Sequence, residues 1–169
     1  MTNKLINYLC GMQMTLVALG KTQAKWIAEG ISVYEERLRH YGKFRFVETP
    51  DIKLKQAKAD PSLVMKAEAQ VLEKLLPGVD HLILLDERGK SRSSKQGADH
   101  LRKLQNRGLK HVMWVIGGPY GFDASIREKA HELWSLSPLT FSHQMIRPFA
   151  IEQIYRAHTI LKGEPYHHE

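Results

Sequence analysis

The amino-acid sequence predicts a single α/β domain with a mostly parallel sheet. Apolar runs of strand length alternate with amphipathic runs of helix length, and the connections between them are short. This alternation is typical of a sheet whose strands run the same way and whose two faces are covered by helices. The chain has 169 residues, of which 43% are hydrophobic and 25% charged, the size and composition of one globular domain.

The first half of the chain contains two predicted strands and two predicted helices. An apolar run closed by Gly20 predicts the first strand, and apolar side chains at three- and four-residue steps predict the first helix. Asp60-Pro61 combines a capping carboxylate with a proline suited to the first helical position, and Pro77-Gly78 ends the helix that follows. In order, the elements are a strand at 14–19, a helix at 22–40, a strand at 43–49, a lysine-rich loop at 50–59 and a helix at 60–76.

The second half repeats the order of strand and then helix. Gly108 and Gly163 are placed to end helices, and Asp123 is placed to cap the start of one. In order, the elements are a strand at 81–86, a polar loop at 87–93, a helix at 94–107, a strand at 111–116, a helix at 123–134, a short segment at 136–141 and a helix at 144–161.

Composition excludes several classes of protein. Cys10 is the single cysteine, so no internal disulfide can form, and without a signal-peptide pattern a cytoplasmic location is expected. The longest apolar stretches, such as 82–85, are far shorter than the roughly 20 residues that span a bilayer. No membrane association is therefore predicted.

Positive charge is concentrated in one stretch. Residues 88–110 contain eight Lys or Arg residues and a single acidic residue, Asp99. The net charge of this stretch is therefore +7, the same as that of the whole chain. A basic patch favours a polyanion such as RNA, because Lys and Arg near phosphates release condensed counterions. A solvated helix face is the equally open alternative.

Common nucleotide and hydrolase motifs are absent. Gly89-Lys90-Ser91 resembles the end of a P-loop, but position 84, where that motif needs glycine, is Leu. Gly20 stands alone after the first strand, so the dinucleotide fingerprint is missing as well. No nucleophile elbow is present. The nine histidines have no zinc-binding spacing: His167 and His168 are adjacent near the chain end, while His81, His100, His111 and His131 lie on separate elements, so no metal site is predicted.

Three segments of the last third have the composition of a ligand site. The loop 116–121 places three glycines where a strand ends, which lets a ligand or another segment of backbone approach closely; a tight turn is the alternative. Residues 134–143 carry hydroxyl and apolar groups, a composition that suits a neutral ring held by main-chain hydrogen bonds but also fits a buried strand. The tail 163–169 adds an aromatic ring and imidazoles after Pro165, although most chain ends are simply solvated.

These elements, in this order, resemble the family of ribosomal RNA large subunit methyltransferase H, SPOUT-class enzymes that methylate N3 of a pseudouridine in bacterial 23S rRNA. The resemblance extends over residues 14–169, and residues 1–13 are expected to be an N-terminal extension outside it. Its motifs are Leu16-Val17-Ala18-Leu19-Gly20-Lys21, Leu84-Leu85-Asp86, Gly89-Lys90, Ile116-Gly117-Gly118-Pro119-Tyr120-Gly121, Ser135-Leu136-Ser137, Thr140-Phe141-Ser142-His143-Gln144-Met145-Ile146-Arg147, Glu152-Gln153-Ile154-Tyr155-Arg156-Ala157 and Pro165-Tyr166-His167.

The resemblance implies a SPOUT-type parallel sheet whose C-terminal part forms a trefoil knot, an exception to the rule against threaded chains. It also implies a homodimer in which S-adenosylmethionine binds in the knot, held mainly by backbone groups. The implied cofactor-binding residues are Leu85, Gly117, Gly118, Leu136, Ser137, Pro138, Leu139, Thr140 and Phe141.

The implied chemistry is placement of a nitrogen in line with an activated sulfonium methyl. The N3 proton must leave, and His143, Tyr166 and His167 are the candidates to orient or accept it. Contacts with RNA are expected from Arg88, Lys90, Arg92, Arg147 and Arg156. The last two have an alternative role in ion pairs, such as Glu152 with Arg156 one helical turn apart.

Three functions are consistent with the sequence. The leading hypothesis is S-adenosylmethionine-dependent methylation of a pseudouridine in 23S rRNA on the assembled ribosome. A second is methylation of tRNA or another RNA by the same class of enzyme. A third is a basic RNA-binding or assembly module without catalytic activity.

Overall fold

Strands and helices alternate along the chain, as the sequence predicts. The structure is a computed structural model and describes residues 11–52 and 60–168. In chain order, the elements of these residues are β1 (Gln13–Ala18), α1 (Lys25–Arg39), β2 (Phe44–Glu48), α2 (Pro61–Glu73), β3 (His81–Ser91), α3 (Ser94–Asn106), β4 (His111–Ile116), α4 (Ala124–Lys129), β5 (Glu132–Ser135) and α5 (Ile146–Lys162).

The five strands of the described residues form one parallel sheet in the order β2-β1-β4-β3-β5. The predicted α/β fold with a parallel sheet is therefore confirmed. Because all strands run the same way, their carboxyl ends meet at one edge of the sheet. In open sheets of this kind, ligands bind at that edge.

Helices cover the sheet on both faces. Leu16 of β1 and Trp114 of β4 belong to a core that also contains apolar side chains of α1, α3 and α5. Val17 and Val115, the next residues along the same strands, point to the opposite face and pack with α2 and α4. Residues of a strand alternate between its faces, so these central strands are apolar on both. The C-terminal helix α5 packs against both α1 and α3.

Side chains fix the starts of three helices. Asp60 accepts a hydrogen bond from the Ser62 backbone amide, and Asp123 accepts one from the amide of Ser125, which confirms both predicted caps. Ser93 forms a capping box with Gln96 at the start of α3. At the other end, α5 stops at Gly163, whose φ of 67° is the left-handed conformation expected of a glycine C-cap.

Two predicted elements are wrong. The polar loop at 87–93 does not exist as such, because β3 continues to Ser91 through an irregularity between Leu85 and Lys90. The helix at 123–134 stops at Lys129, and the following Glu132–Ser135 is strand β5. In both places pairing with a neighbouring strand outweighs local sequence preference.

The remaining predicted bounds differ by a few residues at element ends. Most of the predicted loop at 50–59 lies outside the described residues, as do residues 1–10 of the predicted extension. Met12 and Gln13 already belong to the domain, since Met12 is buried and Gln13 is the first residue of β1. None of the helices in the described part of the chain is both long and apolar enough to cross a membrane.

Gly89 permits β3 and β5 to approach each other. A Cβ at this position would lie 2.5 Å from the carbonyl carbon of Leu133 and 2.6 Å from the amide nitrogen of Trp134. We expect Gly89→Ala to lower the free energy of unfolding by roughly 1–3 kcal/mol, because the backbone of β5 must move. Urea denaturation measures this.

The control is Gly30→Ala in α1, where the nearest atom to a new Cβ is Pro148 Cβ at an ordinary 3.9 Å. It should leave the unfolding free energy unchanged or raise it by up to about 1 kcal/mol, because alanine favours the helix. Equal stability of the two variants would contradict this account of Gly89.

Candidate functional site

A pocket of about 580 Å³ opens at the carboxyl ends of β3, β4 and β5. This volume lies within the roughly 300–1,000 Å³ typical of small-molecule sites. Three segments form its walls: the end of β3, the glycine loop after β4, and the chain after β5. The pocket is lined by the loop 116–121 and by most of residues 134–143, two of the three segments that the sequence indicates as ligand sites, and residues 163–168 of the tail are not part of it. We call residues 117–121 the glycine loop and refer to the part of the second segment after Trp134 as the segment 135–143.

The glycine loop is a tight turn closed by a hydrogen bond from the Gly121 amide to the Gly118 carbonyl at 3.1 Å. Gly121 has a φ of 83°, which favours glycine. At Gly118 a side chain would collide with the carboxyl group of Glu68. A Cβ at this position therefore requires the Glu68 side chain to shift, a close contact that the sequence does not suggest.

Glu68 lies behind the glycine loop with its side chain buried. Its Oε2 atom has no hydrogen-bond partner among the described residues. Burial raises the pKa of this carboxyl group to about 7, because a charge is disfavoured away from water. The carboxyl group thus changes protonation near neutral pH directly beside the pocket wall.

The segment 135–143 is shaped by its own hydroxyl groups. Ser135 Oγ donates to the Ser137 carbonyl, and the Leu139 amide donates to Ser137 Oγ, both at 2.9 Å. Thr140 Oγ1 reaches across the pocket mouth and donates to Glu87 at 2.8 Å. This segment lies between the end of β5 and the start of α5, so its backbone groups are available along one wall of the pocket.

The opposite wall carries charge. Asp86, at the end of the buried part of β3, forms an ion pair with Arg127 of α4, with 2.5 Å between Oδ2 and Nη2. Arg127 also donates from Nε to the Phe122 carbonyl at 3.4 Å. Neither residue is predicted from the sequence to be part of the site, although an Asp directly after a buried strand is a signal that could have indicated Asp86.

Most of the predicted cofactor residues line this pocket. Leu85, Gly117 and Gly118 contribute from β3 and the glycine loop, while Pro138 is the one predicted residue that is not part of the lining. The residues of the segment 135–143 that were predicted and do line it are Leu136, Ser137, Leu139, Thr140 and Phe141.

The three candidates for proton transfer are not brought together in one chain. His143 lines the pocket, and burial together with the nearby charge of Arg147 lowers its pKa. Tyr166 instead packs on α1 and α5, where its hydroxyl contacts that of Tyr34 at 3.1 Å and donates to Glu152 at 3.0 Å. His167 lies beside it, with Nδ1 3.3 Å from Arg156 Nη1.

The predicted RNA contacts separate into two groups. Arg88, with 78% of its side chain exposed, is at the rim of the pocket, and Lys90 is also exposed. Arg92 pairs with Glu132 at 2.5 Å and only 9% of its side chain is exposed, so little of it is accessible to RNA and its predicted contact stays a prediction. Arg156 forms the predicted ion pair with Glu152, also at 2.5 Å.

Arg147 is fully buried, so its predicted contact with RNA has no exposed group to make it. Its guanidinium donates to the Leu19 carbonyl at 2.8 Å and to the His143 carbonyl at 3.0 Å. A third hydrogen bond, of 2.8 Å, goes to Thr22 Oγ1, and Glu48 lies 3.5 Å away. This side chain therefore connects the end of β1 to His143, which lies just before the start of α5.

Histidines that are scattered in the sequence converge in space. His81 Nε2 and His100 Nε2 lie 2.8 Å and 2.6 Å from the same oxygen of Glu132, and ligand-type atoms of the three residues lie within 4.8 Å of one another. Burial alone raises the pKa of Glu132, but hydrogen bonds from both imidazoles and the charge of Arg92 lower it to about 2. No spacing in the sequence could reveal this cluster. Its members form hydrogen bonds with one another.

Comparison with known proteins identifies the family. A family model described as "Predicted SPOUT methyltransferase" matches residues 12–167. The chain belongs to the SPOUT methyltransferase family. Its relatives in Christiangramia forsetii and Parabacteroides distasonis, both named "Ribosomal RNA large subunit methyltransferase H", are 45% and 46% identical to it. The matches cover 93% and 94% of this chain and 99% and 100% of the relatives.

Solved structures show the same fold at low sequence identity. A probable methyltransferase from Bordetella pertussis Tohama I has a TM-score of 0.53 at 13% identity, over 93% of this chain and 99% of that one. A probable methylase family protein from Haemophilus influenzae Rd KW20 has a TM-score of 0.51 at 10% identity, over 92% of this chain and 67% of that one. The shared fold places the pocket on the scaffold of this family.

Removing the Arg147 guanidinium should destabilise the protein strongly. We expect Arg147→Met to lower the free energy of unfolding by roughly 3 kcal/mol, since it leaves the buried carbonyl groups of Leu19 and His143 without this donor. Arg88→Met, at an exposed position of the same pocket, should change it by no more than about 0.5 kcal/mol. Similar urea midpoints for the two variants would show that Arg147 is not structural.

Proposed function

We propose that this protein transfers a methyl group from S-adenosylmethionine to N3 of a pseudouridine in 23S rRNA of the assembled ribosome. The observation that carries the proposal is a pocket of cofactor size at the carboxyl edge of a SPOUT-family sheet, in a chain 45–46% identical to enzymes named for rRNA methylation. The pocket combines a glycine loop with a neutral hydroxyl-rich segment, and both belong to the same chain.

The pocket residues fit the cofactor by their chemistry. Leu136 to Phe141 provide apolar contacts, hydroxyl groups and accessible backbone on one wall, which suits an adenine ring held by main-chain hydrogen bonds. The glycine loop brings backbone close to the centre of the pocket. Bound S-adenosylmethionine supplies a methyl group that is already activated by the sulfonium, so the protein mainly has to orient the acceptor and exclude water.

His143 is the best placed proton acceptor within one chain. It lines the pocket, and its lowered pKa keeps the imidazole neutral at physiological pH, the form that can accept a proton. Tyr166 has the opposite character. Burial and hydrogen bonds with Tyr34 and Glu152 raise its pKa, so its hydroxyl keeps its proton and serves as a hydrogen-bond donor.

A homodimer would complete the site. Aromatic side chains are exposed beside the pocket: Phe141 and Phe149 lie 5.3 Å apart between ring centres, and Trp26 of α1 is 59% exposed. Exposed apolar surface of this kind is typical of a protein interface. With this surface covered by a second copy, the tail with Tyr166 and His167, which lies outside the pocket of its own chain, would lie at the pocket of the partner.

The proposed trefoil knot is supported by family membership and by the path of the chain. From the edge strand β5, the chain passes along the pocket and reaches the end of β1, where the Gln144 side chain donates to the Lys21 carbonyl at 2.9 Å. Helix α5 then packs between α1 and α3. Arg88 at the rim of the pocket and the exposed Lys90 are proposed to bind rRNA phosphates.

The test is transfer of labelled methyl groups to ribosomes from a strain that lacks the modification. We expect transfer to intact ribosomes, little to naked rRNA or tRNA, and a loss of roughly 100-fold or more for His143→Ala. His40→Ala, at an exposed position after α1, is the control and should retain full activity.

Two results would contradict the proposal. Transfer to tRNA in preference to ribosomes would assign the enzyme to a different RNA. Absence of transfer together with absence of S-adenosylmethionine binding in calorimetry would identify an RNA-binding module without catalysis.

A further inference from the structure

The two walls of the pocket differ in chemistry. The wall formed by the segment 135–143 is neutral, whereas the wall formed by the end of β3 and the start of α4 carries Asp86 and Arg127. A ligand that fills both walls must therefore present a neutral part and a part with charges of both signs. This division provides a basis for assigning the orientation of the ligand.

Asp86 is a buried acid at the end of a buried strand. Only 7% of its side chain is exposed, yet the residue lines the pocket. Its Oδ1 accepts a hydrogen bond from the Arg88 amide at 3.0 Å, and its Oδ2 accepts one from Arg127. Since a carboxylate offers about four acceptor positions, Asp86 retains capacity to accept from a ligand ammonium group.

Arg127 connects Asp86 with the glycine loop. One Nη atom donates to Asp86, and Nε donates to the carbonyl of Phe122, whose ring lies 5.9 Å below the guanidinium. Two of its five N–H donors are used in these contacts. The fixed fork of an arginine matches a carboxylate group better than any other side chain does.

We infer that the Asp86–Arg127 pair binds the amino-acid end of the S-adenosyl ligand, with Asp86 facing its α-ammonium group and Arg127 its α-carboxylate. The inference rests on the proposed function and assigns the adenine end to the neutral wall. A zwitterion placed against the pair, with each of its charges facing the opposite charge, has both charges satisfied. The pair thus determines specificity for ligands that carry the amino-acid group.

Calorimetry with two ligands tests the assignment. S-adenosylhomocysteine carries the amino-acid end, and methylthioadenosine has the same adenosine and thioether without it. We expect the wild-type protein to bind S-adenosylhomocysteine at least about tenfold more tightly than methylthioadenosine, because charge-assisted pairs are the stronger hydrogen bonds. Arg127→Gln should lower the affinity for S-adenosylhomocysteine by a similar factor and change the affinity for methylthioadenosine by no more than about twofold.

Lys129→Gln is the matched control, because Lys129 lies on the same helix and pairs with Glu73 away from the pocket. It should leave both affinities unchanged. Thermal melting establishes that each variant is folded, and Arg127→Lys, which keeps the charge but lacks the fork, should give an intermediate affinity for S-adenosylhomocysteine.

The results separate this inference from the proposed function. If the wild-type protein binds both ligands equally, or if Arg127→Gln weakens both by the same factor, the pair has no role at the amino-acid end, while the cofactor assignment stands. If neither ligand binds to the wild-type protein, the proposed function fails and the inference with it.

Discussion

The buried guanidinium of Arg147 is the interaction on which the geometry of the pocket depends. It holds the carbonyl of Leu19 at the end of β1 and the carbonyl of His143 at the end of the pocket segment. A charge buried in this way is expensive unless its hydrogen bonds are made. The segment 135–143 is otherwise held by its own hydroxyl groups and by the hydrogen bond from Thr140 to Glu87, and Arg147 adds the contact that fixes the backbone at His143. Burial and the same charge lower the pKa of the His143 imidazole, so one side chain links fold, pocket shape and protonation state.

The parallel sheet explains why three distant segments form one site. β3, β4 and β5 are neighbours in the parallel sheet, so their carboxyl ends meet at the same edge. The glycine loop after β4 brings backbone into the pocket, while the end of β3 adds charge and the chain after β5 adds neutral surface. A methyl transfer from an activated donor requires orientation more than strong acid or base groups. A pocket of mixed backbone, hydroxyl and ion-pair character is consistent with that requirement.

Features that depend on local sequence pattern could be predicted, whereas features that depend on long-range packing could not. Residues 112–116 are apolar throughout and match all of β4 except His111, and Asp60 and Asp123 have the residue types of the caps that they form. Most of strand β5 falls within a predicted helix, because Glu132 to Ser135 is too short to show a period of its own. The polar end of β3 has the composition of a loop, and its pairing with β5 is visible only in the fold. Arg92 and Arg147 were assigned to RNA because sequence alone does not report burial.

The same distinction applies to the residues of the site. The glycine loop and the segment 135–143 could be found from composition and from family resemblance. The Asp86–Arg127 pair could not, because its members are 41 residues apart and no motif joins them. The same holds for the cluster of His81, His100 and Glu132, which three separate elements bring together. Contacts of this kind depend on the sheet order and therefore appear only once the fold is known.

The central claim is that the glycine loop and the segment 135–143 of one chain form a single cofactor site. Amide hydrogen exchange with and without S-adenosylhomocysteine tests it most directly. The structure predicts slower exchange in residues 117–122 and 136–142 on addition of the ligand, with no change in α2. Protection confined to other elements, or none at these two segments at saturating ligand, would contradict it.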